Sequence, residues 1–368
     1  MSHTIPFRKI SLPETLAESV AAGVAAGTFQ ASEALEADVA AVLGKQHALA
    51  TSSATAALHL AMCALDLKRG DKVLCPVNGF VDLPEVVRHF DAEPVFVDID
   101  PDHFAIDPDA LRRVADEIAG KKLRAVIVAH VGGHPAPMQA IREVADRYNL
   151  KVIEEATELI GAPEAGLWSD MMVIGFGSRI DNTISGGMLL TDDATYFERG
   201  KLMRNHGLTY AADDVAYLYD VVQVGCEYRM NEFSALYCRE LFARYDHDLE
   251  RRRAIAAHYT EALSHLENVQ LPAAHPDHLY TQYIVRIETN RDAFARKLKE
   301  KGIEAGVQYV PLNFTQYYKE KYRLKVFDFP VALDAFQKMM SLPIYPQLRD
   351  DEVAYICQAI ESIAQHHR

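Results

Sequence analysis

The chain has no stretch approaching 18 uninterrupted apolar residues, no close cysteine pair and no excess of positive charge. The first absence removes a membrane-spanning helix, and the opening MSHTIPFRKISLPE lacks the apolar run of an export signal. Five cysteines (Cys63, Cys75, Cys226, Cys238, Cys357) are scattered, odd in number and never in a CxxC spacing. That argues against a disulfide framework or structural zinc and points to a reducing compartment, by default the cytoplasm. A net charge of −14 speaks against nucleic acid or an anionic membrane as partner. No spacing of Asp, Glu or His defines a metal site, so no metal is expected. What remains is an ordinary globular composition, 49% hydrophobic and 24% charged over 368 residues. That length suffices for a large domain, expected over 1–245, and a linker helix with a small C-terminal domain over 246–368.

Helical periodicity runs through Leu12–Ala26 and Ala31–Leu43. Short β-rich runs then alternate with amphipathic stretches. KVLCP (72–76), PVFVDID (94–100), RAVIVAHV (124–131), KVIEEA (151–156), MMVIGFG (171–177) and GGMLLT (186–191) read as strands. Thr55–Leu65, Asp107–Ile118 and Met138–Tyr148 read as the helices between them. This pattern predicts an α/β fold with a mainly parallel sheet between helices, and its ligands lie beyond the carboxyl ends of the strands. A long charged helical segment follows from Asn231 to His265. The C-terminal part reads as a strand at Leu279–Ile287 and helices at Arg291–Lys301, Ala332–Met340 and Asp350–His366.

The order of motifs resembles the DegT family of nucleotide-sugar aminotransferases, pyridoxal-phosphate (PLP) enzymes of fold type I. The resemblance rests on LGKQHALATSSATAALHLAMCAL, the segment GDKVLCPVNGFVDLPEVVRHF, AHVGGHPAPM, KVIEEATELIGA, GGMLLTDD, MRNHGL, GCEYRMNE, VQYVPLNFTQYYKEKY and FPVALDAFQKMMSLPIYPQLRDDEV, in family order over nearly the whole chain. It implies the type I fold, a large sheet domain with a smaller α/β C-terminal one, and a homodimer with a shared site. By resemblance, Ser53, Ala54 and Thr55 at a helix start correspond to the cofactor-phosphate segment. The residues alone allow them equally to be a simple helix cap. Phe80 stands where the family stacks an aromatic on the cofactor ring.

The chain departs from the family at the same pocket. The family lysine that forms the Schiff base corresponds to Arg179 or Ile180 in SRIDNTISGG, and no lysine occurs between Lys151 and Lys201. Arginine stays protonated and cannot replace it. Glu155 stands for the family Asp at the pyridine nitrogen, and Glu158 for the residue at the ring oxygen. Gly175 replaces a phosphate-binding serine, and Glu227 an Asn that reaches a neighbouring subunit's cofactor phosphate. A bare carboxylate there opposes a phosphate by several kcal/mol, on the order of a thousandfold in affinity. Asp82 adds a further carboxylate.

These departures lead to the expectation of no cofactor: a homologue that acts on or binds a nucleotide sugar and is not a conventional transaminase. Glu155, Glu158, Arg179, Asp181 and His206 are the candidate acid–base groups. The alternatives are a PLP- or pyridoxamine-phosphate (PMP)-dependent sugar 3-dehydratase without the covalent lysine link, a conventional PLP sugar aminotransferase, and a noncatalytic partner subunit. Asp82, Arg179, Tyr309 and Asn313 are the candidate sugar contacts. Gln308 and Asn313 stand for two family histidines near the sugar, and Arg229 is expected to pair with a carboxylate.

Overall fold

The computed structural model describes residues 4–9, 13, 15–26, 30–176, 185–210 and 218–367. The N-terminal part runs α1 (Leu16–Ala26), α2 (Ala31–Val42), β1 (His47–Thr51), α3 (Ala54–Ala64), β2 (Lys72–Pro76), α4 (Asp82–Arg88), β3 (Glu93–Val97) and α5 (Pro108–Ile118). The chain continues with β4 (Leu123–Ala129), α6 (Met138–Arg147), β5 (Lys151–Glu155), β6 (Met171–Phe176), β7 (Gly186–Thr191), α7 (Ala194–Arg204), β8 (Leu208–Tyr210) and β9 (Tyr219–Val221). The C-terminal part holds α8 (Glu232–Ala243), α9 (Tyr245–Leu263), β10 (Val269–Gln270), β11 (Tyr283–Ile287), α10 (Arg291–Glu300), α11 (Gln316–Tyr322), α12 (Pro330–Lys338), β12 (Met339–Leu342) and α13 (Asp350–Ala364).

The large sheet has the order β1-β7-β6-β5-β4-β2-β3. Strands β6, β5, β4, β2 and β3 are parallel, whereas β7 runs antiparallel to both β6 and β1. The expected mainly parallel sheet of a type I fold is present. Every residue of β6 and β7 is buried, which is why MMVIGF and GGMLLT are continuous apolar runs and do not alternate with polar residues. Helix starts are set locally: Asp107 caps α5, with Pro108 at its first position, Asp193 caps α7 and Asn231 caps α8.

One apolar cluster fills the side of the sheet under α3 and α4 and includes Leu58, Val86 and Ile127. Another lies under α5 and α6, with Leu111, Val126 and Ile141. A further core gathers Tyr259, Tyr283, Phe294, Ile356 and Ile360 around the antiparallel sheet β10-β11-β12, and Ile5 from the N-terminal segment joins it. Asp98 fastens the two parts, its carboxylate accepting from the Val331 and Ala332 amides at 3.1 and 3.0 Å at the start of α12.

Several expected boundaries move. The stretch Ala332–Met340, read as one helix, ends at Lys338 because Met339–Leu342 pairs with β11. The strand expected at 94–100 ends at Val97, and Ile99 instead bridges Ile106.

Candidate active site

The end of β6 and the start of β7 meet the start of α3. Ser53 precedes the helix in extended conformation, and its side chain accepts from the Ala56 amide at 3.0 Å. The remaining first-turn amides have no partner within a helix, and the dipole is positive at this end, which suits an anion. Strand β7 lies directly against this start. A methyl group on Gly187 would fall 2.3 Å from the Ser53 carbonyl oxygen and 2.6 Å from the Ala54 nitrogen. On Gly175 in β6 it would fall 2.9 Å from Ala54 Cβ and 3.2 Å from Thr157 Oγ1. Glycine on both strands lets the helix start seat at the edge of the sheet.

The Thr55 hydroxyl donates to Asp82 at 3.1 Å, and Asp82 is 2% exposed at the start of α4. Phe80 precedes α4, its ring 6.1 Å from that of Tyr309. Asn78 pins the Tyr309 segment: Nδ2 donates to the Gln308 carbonyl at 3.4 Å, and Oδ1 accepts from the Tyr309 amide at 3.2 Å.

Side chains alternate along β5, so neighbouring Glu154 and Glu155 face opposite ways. Glu155 is 3% exposed and accepts from the Thr157 amide at 3.2 Å and from the Thr157 hydroxyl. That hydroxyl in turn accepts from the Gly175 amide at 2.9 Å. Glu154 meets His130 Nε2 at 3.1 Å and accepts from the Gly166 amide at 3.0 Å. Burial works to raise its pKa, but the bonds from His130 and Gly166 outweigh it and hold the carboxyl below its ordinary range.

Glu158 accepts from the Gly132 amide at 2.5 Å and from Gln282 Nε2 at 2.6 Å. Burial pushes its pKa above the ordinary value. The Ser341 hydroxyl then bridges Gln282 and Gln308. Glu158 therefore anchors the large part of the molecule to the small sheet, and both its oxygens are engaged.

Glu227 is tied to Arg229, with Nε and Nη2 donating at 2.9 and 2.8 Å, and to His206 Nε2 at 3.2 Å. The Arg229 hydrogen bonds are the largest cause of its pKa falling to about 2. The pairing expected of Arg229 is present. It also offsets the repulsion expected of a bare carboxylate at position 227, because a guanidinium accompanies the charge. Asn313 is 1% exposed, with its NH₂ on the carbonyls of Lys325 and Val326 at 3.2 and 3.4 Å and its Oδ1 unpartnered.

The structure thus gathers Ser53, Ala54, Thr55, Asp82, Glu155 and Gly175 around the start of α3, and pairs Phe80 with Tyr309. It sets His206, Glu227 and Arg229 in an exposed group whose backbone bridges Thr51 and bonds the Ser52 amide at 2.8 Å, just before the Ser53 cap. Arg179, Ile180 and Asp181 lie outside the described residues. Sequence reasoning missed Thr157, Asn78, Gln282 and Ser341. Thr157, two residues after Glu155, has the spacing of a local side-chain-to-backbone turn and could have been found. No metal-holding group of His, Cys, Asp or Glu occurs among the described residues.

This seven-stranded sheet flanked by helices matches the fold of the PLP type I aminotransferases. A family model described as the DegT/DnrJ/EryC1/StrS aminotransferase family matches residues 13–361, and the chain belongs to that family. It is 31% identical over 343 residues to the uncharacterised protein MJ1066 of Methanocaldococcus jannaschii, covering 89% of this chain and 88% of that one. DesV of S. venezuelae, solved with a ketimine intermediate, is 28% identical with a TM-score of 0.85, covering 95% of this chain and 94% of that one. NtdA of Bacillus subtilis, solved with bound PMP, is 24% identical with a TM-score of 0.88, covering 99% and 86%. These findings correct the expectation of no cofactor: the family is one of aminotransferases, and this fold occurs with PMP in place. The physical ground for that expectation is also reduced, since the Glu227 charge is paired with Arg229.

Proposed function

We propose that this protein binds PLP or PMP at the start of α3, without a lysine bond, and modifies a sugar carried on a nucleotide. The observation that carries the reading is the α3 start itself, capped by Ser53 and packed so closely on Gly187 and Gly175 that neither position has room for a Cβ. The residues around it fit the cofactor. First-turn amides of α3 would hold the phosphate, Phe80 would lie on the ring, and Glu155, held by Thr157, would face the ring nitrogen. Bound there, the cofactor would supply an electron sink for bond cleavage next to a sugar carbon.

The protein's own part is orientation. Glu155 holds a carboxyl acceptor in a buried position, and Thr157 fixes its rotamer while also binding the Gly175 amide. Asn78 holds the Tyr309 edge beside Phe80. The absence of lysine between Lys151 and Lys201 leaves no amine in that segment to anchor the cofactor, which favours the dehydratase type of chemistry over ordinary transamination. We place two copies around the site: Tyr210, Leu218, Tyr219, Val221, Val222 and Val224 expose apolar surface beside Glu227 and Arg229, as an interface needs. Five free cysteines suit a cytoplasmic protein. Among the described residues, no helix is long and apolar enough to cross a membrane.

A thermal-shift series with PLP, PMP and nucleotide sugars tests this reading. Stabilisation by PLP or PMP, and a further rise with a nucleotide sugar, is expected. No shift with either cofactor at millimolar concentration contradicts it.

A further inference from the structure

A crevice of about 380 Å³ lies where the loop after β4 meets the segment leading into β11. None of the residues around the start of α3 lines it. Its walls are Pro135, Ala136, Pro137 and Met138; His103, His134 and His275 close it, and Glu143 and Glu164 stand on its lining. No lysine or arginine is among the lining residues.

The hydrogen bonds fix what each imidazole offers. His134 donates from Nδ1 to the Pro135 carbonyl at 2.9 Å, so its Nε2 is an acceptor in the neutral ring. Among the described residues that Nε2 makes no hydrogen bond, and His134 is only 9% exposed. His103 turns Nε2 to Asp100 at 3.3 Å and leaves Nδ1 buried and unpartnered, a second acceptor. His275 accepts at Nδ1 from the Asp277 amide at 3.1 Å, so its Nε2 carries hydrogen and donates. The rings pack on one another, His134 lying 5.8 Å from His103, 5.2 Å from His275 and 5.1 Å from His278 between centroids. Burial holds His103 down at about 4 and lowers His134, so both are neutral near pH 7.

Donors lie in the same crevice. Met138, Gln139 and Ala140 begin α6, which no side chain caps. Met138 N already donates to the Ala136 carbonyl at 2.7 Å, and the Gln139 and Ala140 amides keep their capacity for a negative group. Acceptors and carboxylates with donors and a helix N-terminus suit neither a simple anion nor a simple cation. They complement a zwitterion.

We propose that this crevice binds a free α-amino acid with a cationic side chain. The carboxylate meets the start of α6 and His275, the α-ammonium meets the acceptor nitrogen of His134, and the side-chain charge meets Glu143 and Glu164. The alkyl chain lies along Pro137 and Met138. The same crossing segment is bonded to the large part through Leu279 N to Gly133 O at 2.8 Å and Gln282 N to Gly132 O at 3.2 Å.

Calorimetry on the full chain, with L-lysine as probe, tests the assignment, and 1,4-diaminobutane and inorganic phosphate serve as half-ligands. L-Lysine is expected to bind at one site, with each half-ligand weaker by about tenfold or more. A Glu143→Gln, Glu164→Gln double variant, changed only at exposed positions, is expected to weaken L-lysine about tenfold and keep its melting temperature. In histidine-selective nitrogen NMR, the His134 Nε2 resonance is expected to move on adding L-lysine. Absence of L-lysine binding overturns the proposal. So does equal binding of either half-ligand, an unchanged affinity in the double variant, or a stationary His134 signal.

Discussion

Gly187→Ala puts the seat of α3 to a direct test. The added methyl would stand 2.3 Å from the Ser53 oxygen, 2.4 Å from its carbonyl carbon and 2.6 Å from the Ala54 nitrogen. All three are backbone atoms, fixed by the pairing of Gly187 with Thr51 on one side and Gly175 on the other. No rotamer change relieves the clash, so the strand or the helix start must move. Overpacking of this kind costs about 1–3 kcal/mol, and fixed neighbours place this case near about 3 kcal/mol. Gly200→Ala in α7 is the control. There the new methyl meets a Leu49 terminal methyl at 2.9 Å, which can shift, and alanine gains about 1 kcal/mol of helix propensity over glycine. Urea denaturation of the two variants measures the difference. Gly187→Ala is expected to lose about 3 kcal/mol with weakened PLP binding, and Gly200→Ala to stay within about 1 kcal/mol of the parent. Equal stabilities for the two variants, or a Gly187→Ala protein that binds cofactor as well as the parent, would refute the reasoning.

Other expectations follow from single contacts. Glu158 has a raised folded-state pKa, so its protonated form is favoured in the native protein. Its contribution is fully present below the ordinary carboxyl value and is lost as pH rises through the folded pKa. Stability relative to Glu158→Gln, followed by urea midpoints, should therefore increase as pH is lowered from 7 toward 4. Asp98→Ala removes the acceptor for two amides at the start of α12 and should cost about 1–2 kcal/mol in the same assay. In Arg229→Ala, carboxyl carbon NMR should find the Glu227 pKa risen from about 2 toward the ordinary carboxyl value. Stability should change by less than about 1 kcal/mol, because the pair is exposed.

The sheet was legible because its strands are continuous apolar runs: GGMLLT was read over the residues of β7, and KVLCP over those of β2. Strand β1 was missed because HALAT lies in an alanine-rich stretch with no β-branched residue before its last position. Its partner β7 follows about 140 residues later and cannot be inferred from local pattern. Strands β10 and β12 are two and four residues long, too short for a period to register. At the site, types were readable and partners were not. Glu158 looked like a free acid beside the ring because Gln282, which engages it, lies 124 residues away. Glu227 looked like a bare charge although Arg229 stands two residues on, since the same spacing in a strand puts side chains on one face only when the backbone is extended there. The electrostatic part of the cofactor expectation failed at that step, by counting charges without their counter-ions.

The central claim, a PLP or PMP site without a covalent anchor, is tested most directly by intact-mass spectrometry after incubation with PLP and reduction with borohydride. Native conditions should show one cofactor per chain, and denaturation should return the unmodified mass. One equivalent of cofactor fixed to the denatured chain, or no cofactor on the native one, would contradict the account.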